Sequence, residues 1–435
     1  MKVIKEGGHR LFETDPDTVR YVSEMLMHLR KHGLEAVRDY STKFDDWSPK
    51  SFELSAADIA RAKEQCSEEL VRDTAFCQGN VRGFAQAQLG MFKPLEIQSR
   101  PGVWLGHKHI PVNSVGSYVP GGRYPMFGSA QMSIIPAKVA GVKTVVGCTP
   151  PVKGSGWYPA TINAMAAAGA DRIFVIGGVP AMALMAFGMG VVDPVDILCG
   201  AGNRFVAEAK RQLFGQCGID LLAGPTEIAI IADDQADPLV EPGRDAEQAC
   251  DLLGQAEHDP YSGQLCVCRS EAFARATLRE VEKQLEVLPT REIASKSWAD
   301  YGKLYVAEND DEAAAISDDY APEHLELHVS NPDFYFDRLK NYGSLFIGEE
   351  TTVAYGDKSI GTNHILPTSR SARYTGGVWV GKFLKTVTYQ RMTPKASIEI
   401  GAVTARQCDV ERMHAHAITA RVRVDRYSEI KNTPT

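Results

Sequence analysis

The sequence predicts an α/β protein of two Rossmann-like, doubly wound halves, with a helical N-terminal region and a helical C-terminal tail. Three observations carry that prediction. Short apolar runs alternate with helix-length segments from about Val112 to about Gly376, and such alternation implies βαβ units with parallel strands and right-handed crossovers. The alternation runs through two successive series. The chain has 435 residues, more than the roughly 250–300 that one core can serve. Hydrophobic residues at 44% and charged residues at 23% match the usual globular mixture, so there is apolar surface for two cores.

The first 100 residues read as helical. DTVRYVSEMLMHLRKHG places Val19, Val22, Met25, Leu26 and Leu29 at spacings of three and four, which makes one buried stripe, and Asp15 or Asp17 can cap its start. From the N-cap candidate Ser55, SAADIARAKEQ runs on through FAQAQ as one long charged helix, a scaffold or dimer surface. The first alternating series takes strands from VNSVGSYVPGG, KTVVGCTP, RIFVIGG, VDILCGAGN and IDLLAGPTEIAIIAD. Helices from AQMSIIPAKVAG, YPATINAMAAAGA, AMALMAFG and RFVAEAKRQLFG separate them. The second series comprises helix AEQACDLLGQAEH, strand QLCVCRS, helix EAFARATLREVEKQLEVL, strand KLYVAEN, helices DEAAAISDDYA and PDFYFDRLKNYG, and strand SLFIGEE. From Gly376 the pattern weakens into a helical tail containing DVERMHAHAITARVRV, which needs a surface such as a partner subunit to lie on.

A net charge of -8 argues against a general nucleic-acid or membrane-surface binder, since those need a cationic face. The longest apolar stretch, Ala181 to Val192, is shorter than the ~20 residues that cross a bilayer, and MKVIKEGGHR lacks a signal-peptide core, so a cytoplasmic protein is expected. Nine cysteines spread over the chain form no disulfide framework. Cys266 and Cys268 lie two apart in a strand, on one face, and read as core.

Several segments could carry chemistry. GAGNRF, Gly200 to Phe205, is a glycine-rich strand-to-helix turn whose amides could approach a pyrophosphate, although no GxGxxG is present. In LLGQAEHDP, Gln255 and His258 fall three apart on an apparent helix and can converge on one ion, or simply form a polar face. In YAPEHLEL, Glu323 and His324 can divide acid–base work, the alternative being a solvated turn. Asp357 and His364 bracket a Gly- and Thr-rich loop, and ERMHAHA offers Glu411, His414 and His416, of which 411 and 414 share a helix face.

Taken in order, SVGSYVPGG, GAGN, GPTEIAIIAD, QAEHDP, PEHLEL, GDKSIGTNHILPT and ERMHAHAITARVRV resemble the histidinol dehydrogenase family from about residue 15 to residue 425. The resemblance implies two intertwined Rossmann-like domains, a homodimer with a swapped C-terminal tail, one Zn²⁺ per site, and oxidation of a primary alcohol through an aldehyde to a carboxylate with two NAD. Carried over by position, Gln255, His258 and Asp357 would ligate zinc with His416 of the other subunit. His324 would take the hydroxyl proton, and Glu323 would activate water for the aldehyde. Thr226, His364 and Glu411 would line the substrate pocket, and Tyr118 and Asn203 the nucleotide site. The implied division is an arm (1–15), a zinc and substrate domain (16–115 and 227–375), an NAD domain (116–226) and the tail (376–435). One nucleotide contact does not transfer, because Pro180 stands in GGVPA where the family commonly has Gln.

The departures bear on the alcohol. RYPMFGSAQ introduces Arg123, WLGHKHIPV brings His107, Lys108 and His109, and Arg370 and Lys382 follow the NHILPT segment. Cationic groups near a pocket mouth favour an anionic substrate. In this the chain resembles the sulfopropanediol 3-dehydrogenase subgroup, which implies 2,3-dihydroxypropane-1-sulfonate as substrate and sulfolactate as product. Histidinol is the alternative substrate, and a metal-binding structural or regulatory protein the alternative class.

Overall fold

The computed structural model describes residues 1–8, 15–122, 124–152, 156–233 and 244–431, apart from the side chains of 244–246 and 430–431. The chain divides into a larger unit, Met1–Leu89 with Val112–Phe383, and a smaller one, Gly90–Pro111 with Leu384–Thr435. The larger unit begins with β1 (Lys2–Lys5), α1 (Pro16–His32), α2 (Leu34–Asp45), α3 (Ala56–Glu64) and α4 (Glu68–Leu89). After β2 (Leu95–Arg100) and β3 (Val103–Pro111) of the smaller unit, it resumes with a first alternating series. That series is β4 (Ser114–Tyr118), α5 (Ser129–Ala140), β5 (Thr144–Thr149), α6 (Pro159–Ala168), β6 (Arg172–Val175), α7 (Gly178–Phe187), β7 (Ile197–Cys199), α8 (Arg204–Leu213) and β8 (Gly218–Ile219). The second is β9 (Glu227–Ala232), α9 (Arg244–Ala256), β10 (Gly263–Cys268), α10 (Glu271–Val287), α11 (Arg291–Tyr301), β11 (Gly302–Val306), α12 (Asp310–Tyr320), β12 (His324–His328), α13 (Pro332–Arg338), β13 (Ser344–Ile347) and α14 (Val353–Lys358). The smaller unit ends the chain with β14 (Leu384–Met392), α15 (Pro394–Val410) and α16 (His414–Lys431).

Both series wind the same way. The first makes a five-stranded parallel sheet of order β6-β5-β4-β7-β8. The second makes a sheet of order β1-β11-β10-β9-β12-β13, parallel except for the edge strand β1, which pairs antiparallel with β11. In each, the chain steps outward one way from its first strand and then returns to the other side. That creates a switch point between β4 and β7 in one sheet and between β9 and β12 in the other. Strands β9 and β12 are buried along their whole length, as expected of parallel strands covered on both faces.

The expected α1 stripe forms, with Val22, Met25, Leu26 and Leu29 buried and Asp15 capping Asp17 and Thr18. It packs with α2 into the core of the five-stranded sheet, against Phe174, Met182 and Leu198. The single long helix expected after Ser55 is interrupted at residues 65–67, where Ser67 Oγ accepts the Leu70 N–H and starts α4 anew.

Several strands depart from the sequence reading: β1 and β2 in the region read as helical, β3 between that region and the first alternating series, β12 where the alternative is a turn, and β14 in the tail. β2, β3 and β14 form an antiparallel sheet of order β14-β3-β2, with β14 in register along all of β3 from Leu384 opposite Pro111 to Met392 opposite Val103. LEIQSR is exposed throughout and LKTVTYQRM nearly so, and the apolar alternation is short in the first (Leu95, Ile97) and irregular in the second (Leu384, Val387, Tyr389). Helices α15 and α16 then pack on each other, close enough at Gly401 that a Cβ there would meet Val424 at 2.8 Å. No helix among the described residues is long and apolar enough to cross a membrane.

Candidate active site

The larger unit gathers a polar cluster at the amino ends of β9 and β12. Thr226 and Glu227 open β9, Glu323 and His324 open β12, and parallel pairing sets His324 opposite Ile228. This is the end of the sheet opposite to the usual crevice at the strands' carboxyl ends. The segment 220–226 explains why. It runs directly from β8 into β9, so the carboxyl edge of the five-stranded sheet feeds the amino edge of the six-stranded one. Helix α5, which follows β4, reaches the same place: Gln131 donates to the Lys358 carbonyl at 2.9 Å, and the Met132 carbonyl accepts from Asn363 at 2.7 Å.

Glu323 is 6% exposed. Its Oε2 accepts from the Thr226 hydroxyl at 2.5 Å and from the Glu227 N–H at 3.0 Å. Burial pushes its pKa well above the usual carboxylate range, against the pull of those two donors and with the charges of Glu227 and Asp357 adding to the rise. His324 is 3% exposed, and its Nδ1 donates to the Glu227 carbonyl at 2.9 Å. That bond leaves Nε2 as the acceptor; it has no hydrogen-bond partner among the described residues and lies 3.9 Å from Asp357 Oδ1. Burial lowers the His324 pKa, so the ring is a neutral imidazole with its basic nitrogen directed into the site.

Asp357 lies in α14 and is buried. Burial acts to raise its pKa, but His364, His324, Lys358 and His258 together hold it below the ordinary value. No protein donor among the described residues bonds its carboxylate; Lys358 Nζ lies 3.6 Å away and the His364 ring nitrogen Nδ1 3.8 Å away. His364 is fixed at both nitrogens, by the Asp357 carbonyl at 3.0 Å and by Ser129 Oγ at 2.9 Å. Gln255, near the end of α9, donates its amide N–H to the Thr226 hydroxyl, which passes the chain of bonds on to Glu323. His258 lies in the turn beyond α9, not on the helix as expected, since helix is disfavoured at Asp259 before Pro260. Burial lowers its pKa while Asp357 raises it, so the two are electrostatic neighbours.

The donor set suits zinc. Asp357 offers a buried carboxylate without a protein donor 3.9 Å from His324 Nε2, His258 is its electrostatic neighbour, and Gln255 lies in the same hydrogen-bond chain, so the residues supply the mixed N and O ligands that Zn²⁺ accepts. Among the described residues, the group of His and acidic side chains with metal-like spacing is a different one: Asp251 of α9 with Glu326 and His328, two and four residues along β12 from His324.

Tyr118 and Asn203 lie at the other switch point. Tyr118 ends β4, and its buried hydroxyl, pushed up to about 12 by burial, accepts the Gly178 N–H at the start of α7. Asn203 caps α8, accepting from Phe205 and Val206. Between them Gly200 adopts φ +124°, where a Cβ would collide with the Tyr118 carbonyl, and Lys210 anchors its carbonyl at 2.9 Å. Pro180 falls in the first turn of α7, where a missing N–H breaks no intrahelical bond.

Glu411, at the C-cap of α15, and His416, in α16, belong to the smaller unit and are exposed there. Arg123 lies outside the described residues. Of the other cationic candidates, Arg370 is bound to Asp319 at 2.8 Å, and His109 is engaged by Thr386 and the Phe92 ring. Ser129 and Glu227 belong to the site and were not singled out from sequence; a serine near a helix start and a glutamate in a strand have ordinary structural explanations.

A family model described as histidinol dehydrogenase matches residues 10–424. The chain is 50% identical over 409 residues, 94% of either chain, to a histidinol dehydrogenase homolog of Shouchella clausii. It is 43% identical over 413 residues, 94% of this chain and 93% of the other, to a sulfopropanediol 3-dehydrogenase of Ruegeria pomeroyi. The crystal structure of histidinol dehydrogenase from Elizabethkingia anophelis matches with a TM-score of 0.89 at 30% identity, covering 97% of this chain and 95% of that one.

Proposed function

The chain belongs to the histidinol dehydrogenase family, whose members are NAD-dependent dehydrogenases acting on CH–OH, and on that premise we propose a zinc-dependent, four-electron oxidation of a small polar alcohol. The favoured substrate is 2,3-dihydroxypropane-1-sulfonate and the product 3-sulfolactate. The observation that carries the chemistry is the buried Glu323–His324 pair, with one imidazole nitrogen fixed and the other open toward Asp357. The substrate choice is supported by the 43% identity to the Ruegeria pomeroyi sulfopropanediol 3-dehydrogenase. The close structural likeness to a solved histidinol dehydrogenase supports histidinol as the second reading.

In this reading Gln255, His258 and Asp357 hold zinc together with His416 from a second copy of the chain. When bound, zinc polarises the hydroxyl and NAD accepts hydride. His324 Nε2 takes the hydroxyl proton as hydride leaves the carbon, giving the aldehyde. The Nδ1 bond to the Glu227 carbonyl holds the ring in the tautomer this requires and stabilises the imidazolium that forms. Glu323 then accepts a proton from water as its oxygen adds to the aldehyde carbon. His324 returns its proton to the former carbonyl oxygen, which completes the hydrate and frees the imidazole; the hydrate then loses a second hydride to a second NAD and a proton to His324, leaving the acid. Thr226 keeps Glu323 and Gln255 in register throughout, and His364 and Glu411 line the pocket. We assign the nucleotide to the β4–β7 switch point, where Tyr118, Gly200 and Asn203 meet the start of α8.

Initial rates of NADH formation on dihydroxypropanesulfonate and on histidinol test the reading. Turnover of the sulfonate, faster than of histidinol and abolished by a chelator, is expected. Faster turnover of histidinol would reverse the substrate order, and no NADH from either alcohol in zinc-replete protein would sink the dehydrogenase reading.

A further inference from the structure

Three of the elements that carry the site are α9 with Gln255, β12, which the Glu323–His324 pair opens, and α14 with Asp357. Behind them a second polar cluster joins the same three. Asp251, one turn before Gln255 in α9, accepts on Oδ1 from the hydroxyl of Thr352, the N-cap of α14, at 2.8 Å. Glu326, two residues along β12 from His324 and on the same face, accepts on Oε1 from the first N–H of α14, that of Val353, at 2.9 Å. Glu326 is fully buried; its Oε2 has no donor among the described residues, with His328 Nε2 at 3.5 Å. One ligand atom each of Asp251, Glu326 and His328 lie within 4.8 Å of one another.

Glu326 is fully buried and Asp251 half-buried beside it, and two negative charges this close repel strongly, so one of the two carboxyls keeps its proton. The backbone and hydroxyl donors of α14 occupy one oxygen on each, so a proton between the remaining oxygens completes the set. Burial, and for Glu326 the neighbouring Asp251, raise both carboxyls above their ordinary range.

We propose that Asp251 and Glu326 share one proton and, with Thr352, lock α9, β12 and α14 together, so that they set the spacing of Gln255, the Glu323–His324 pair and Asp357. They are positioning residues, distant from the reacting atoms. The inference rests on the zinc-site reading above and deepens it.

Full-length wild type, E326Q, E326L and T352V test it by chelator competition for zinc, by kcat and KM, and by hydrogen exchange of the α14 amides. Glutamine reproduces both bonds, donating to Asp251 and accepting from Val353. E326Q should therefore keep zinc affinity and kcat within about threefold of wild type. E326L should lose roughly 10–100-fold in zinc affinity, as removal of groups that orient ligands does, and should lose kcat more than KM. T352V cuts the α14-to-α9 link at a single hydroxyl and leaves both carboxyls and their shared proton in place, so it serves where E326L does not fold, and should move the same way by less. Exchange in α14 should quicken in E326L and T352V and stay unchanged in E326Q. Because exchange and zinc affinity are read without turnover, a wild type that makes no NADH overturns the proposed function and leaves this test intact. Folded E326L and T352V with wild-type exchange and zinc affinity, or an E326Q as damaged as E326L, would overturn the proposal. So would two metal equivalents per subunit in wild type and one in E326Q, which would put a cation where the proton is assigned.

Discussion

Glu227 offers a sharp test of the electrostatics behind the catalytic pair, because its backbone serves Glu323 and His324 while its own carboxyl does neither. The side chain is 6% exposed; Oε1 accepts the Ser369 N–H at 3.0 Å, and Oε2 has no partner among the described residues. Burial raises its pKa from 4.5 to about 8. A carboxyl whose folded pKa is raised binds its proton more tightly in the native state than in the unfolded one. The stability it contributes is thus full below about pH 4.5 and lost as pH rises toward about 8. At roughly 1.4 kcal/mol per pH unit, the loss between pH 5 and pH 8 approaches 3–4 kcal/mol. Glu227→Gln keeps the acceptor for Ser369 and removes the titration. Urea unfolding of both proteins at matched concentration should give similar stabilities near pH 5 and an advantage to the variant that widens to roughly 3–4 kcal/mol by pH 8. Curves that stay parallel from pH 5 to pH 8 would show that Glu227 carries no trapped proton, and would refute the account of this site as dry.

Three further outcomes are expected. Replacing His324 by Asn should lower alcohol oxidation by roughly 10²–10⁴-fold with little change in bound zinc, measured by stopped-flow NADH formation; loss of the metal along with the rate would assign His324 a ligand role instead. Glu323→Gln should spare the first hydride transfer more than the second, so that single-turnover assays accumulate aldehyde; equal loss in both halves would contradict a role confined to water. Gly200→Ala forces a Cβ against the Tyr118 carbonyl at φ +124°, so the NAD KM should rise more than the alcohol KM, and equal effects would place the nucleotide elsewhere.

Much of the fold is legible because parallel sheets buried on both faces write themselves as unbroken apolar runs: EIAIIA in β9 and QLCVC in β10 are examples. The antiparallel sheet of the smaller unit is the reverse case. Its strands are paired edge to edge by backbone bonds between largely exposed side chains, and backbone pairing leaves no mark on a hydrophobicity pattern. The site was legible only through ordered motifs. Gln255 and His258 carried little weight as an i, i+3 pair, and His258 proves to lie beyond the helix altogether. What no local pattern could supply was the joining of α5 to the 357–364 loop, which brings Ser129 to His364 from more than 200 positions away.

Strand β12 shows why HLELH resisted reading. Leu325 and Leu327 point into one core, with Tyr335 and Leu339, while His324, Glu326 and His328 face α9 and α14 on the other side. Strict polar–apolar alternation normally marks a strand with one face in water. Here both faces are buried, so the alternation means instead that the interior on one side is polar along the strand's whole length. Such a face is costly unless its groups are paired, and each is paired to a different degree: His324 to a carbonyl at one nitrogen only, Glu326 to an amide at one oxygen only. The open atom of His324 lies 3.9 Å from Asp357, and that of Glu326 lies 3.5 Å from His328, in the cluster that also holds Asp251. A fully apolar β12 would pack as well and leave nothing to hold Asp357 and Gln255 at a working distance. The conflict between burial and polarity in this one strand is therefore the feature from which both the catalytic pair and its support follow.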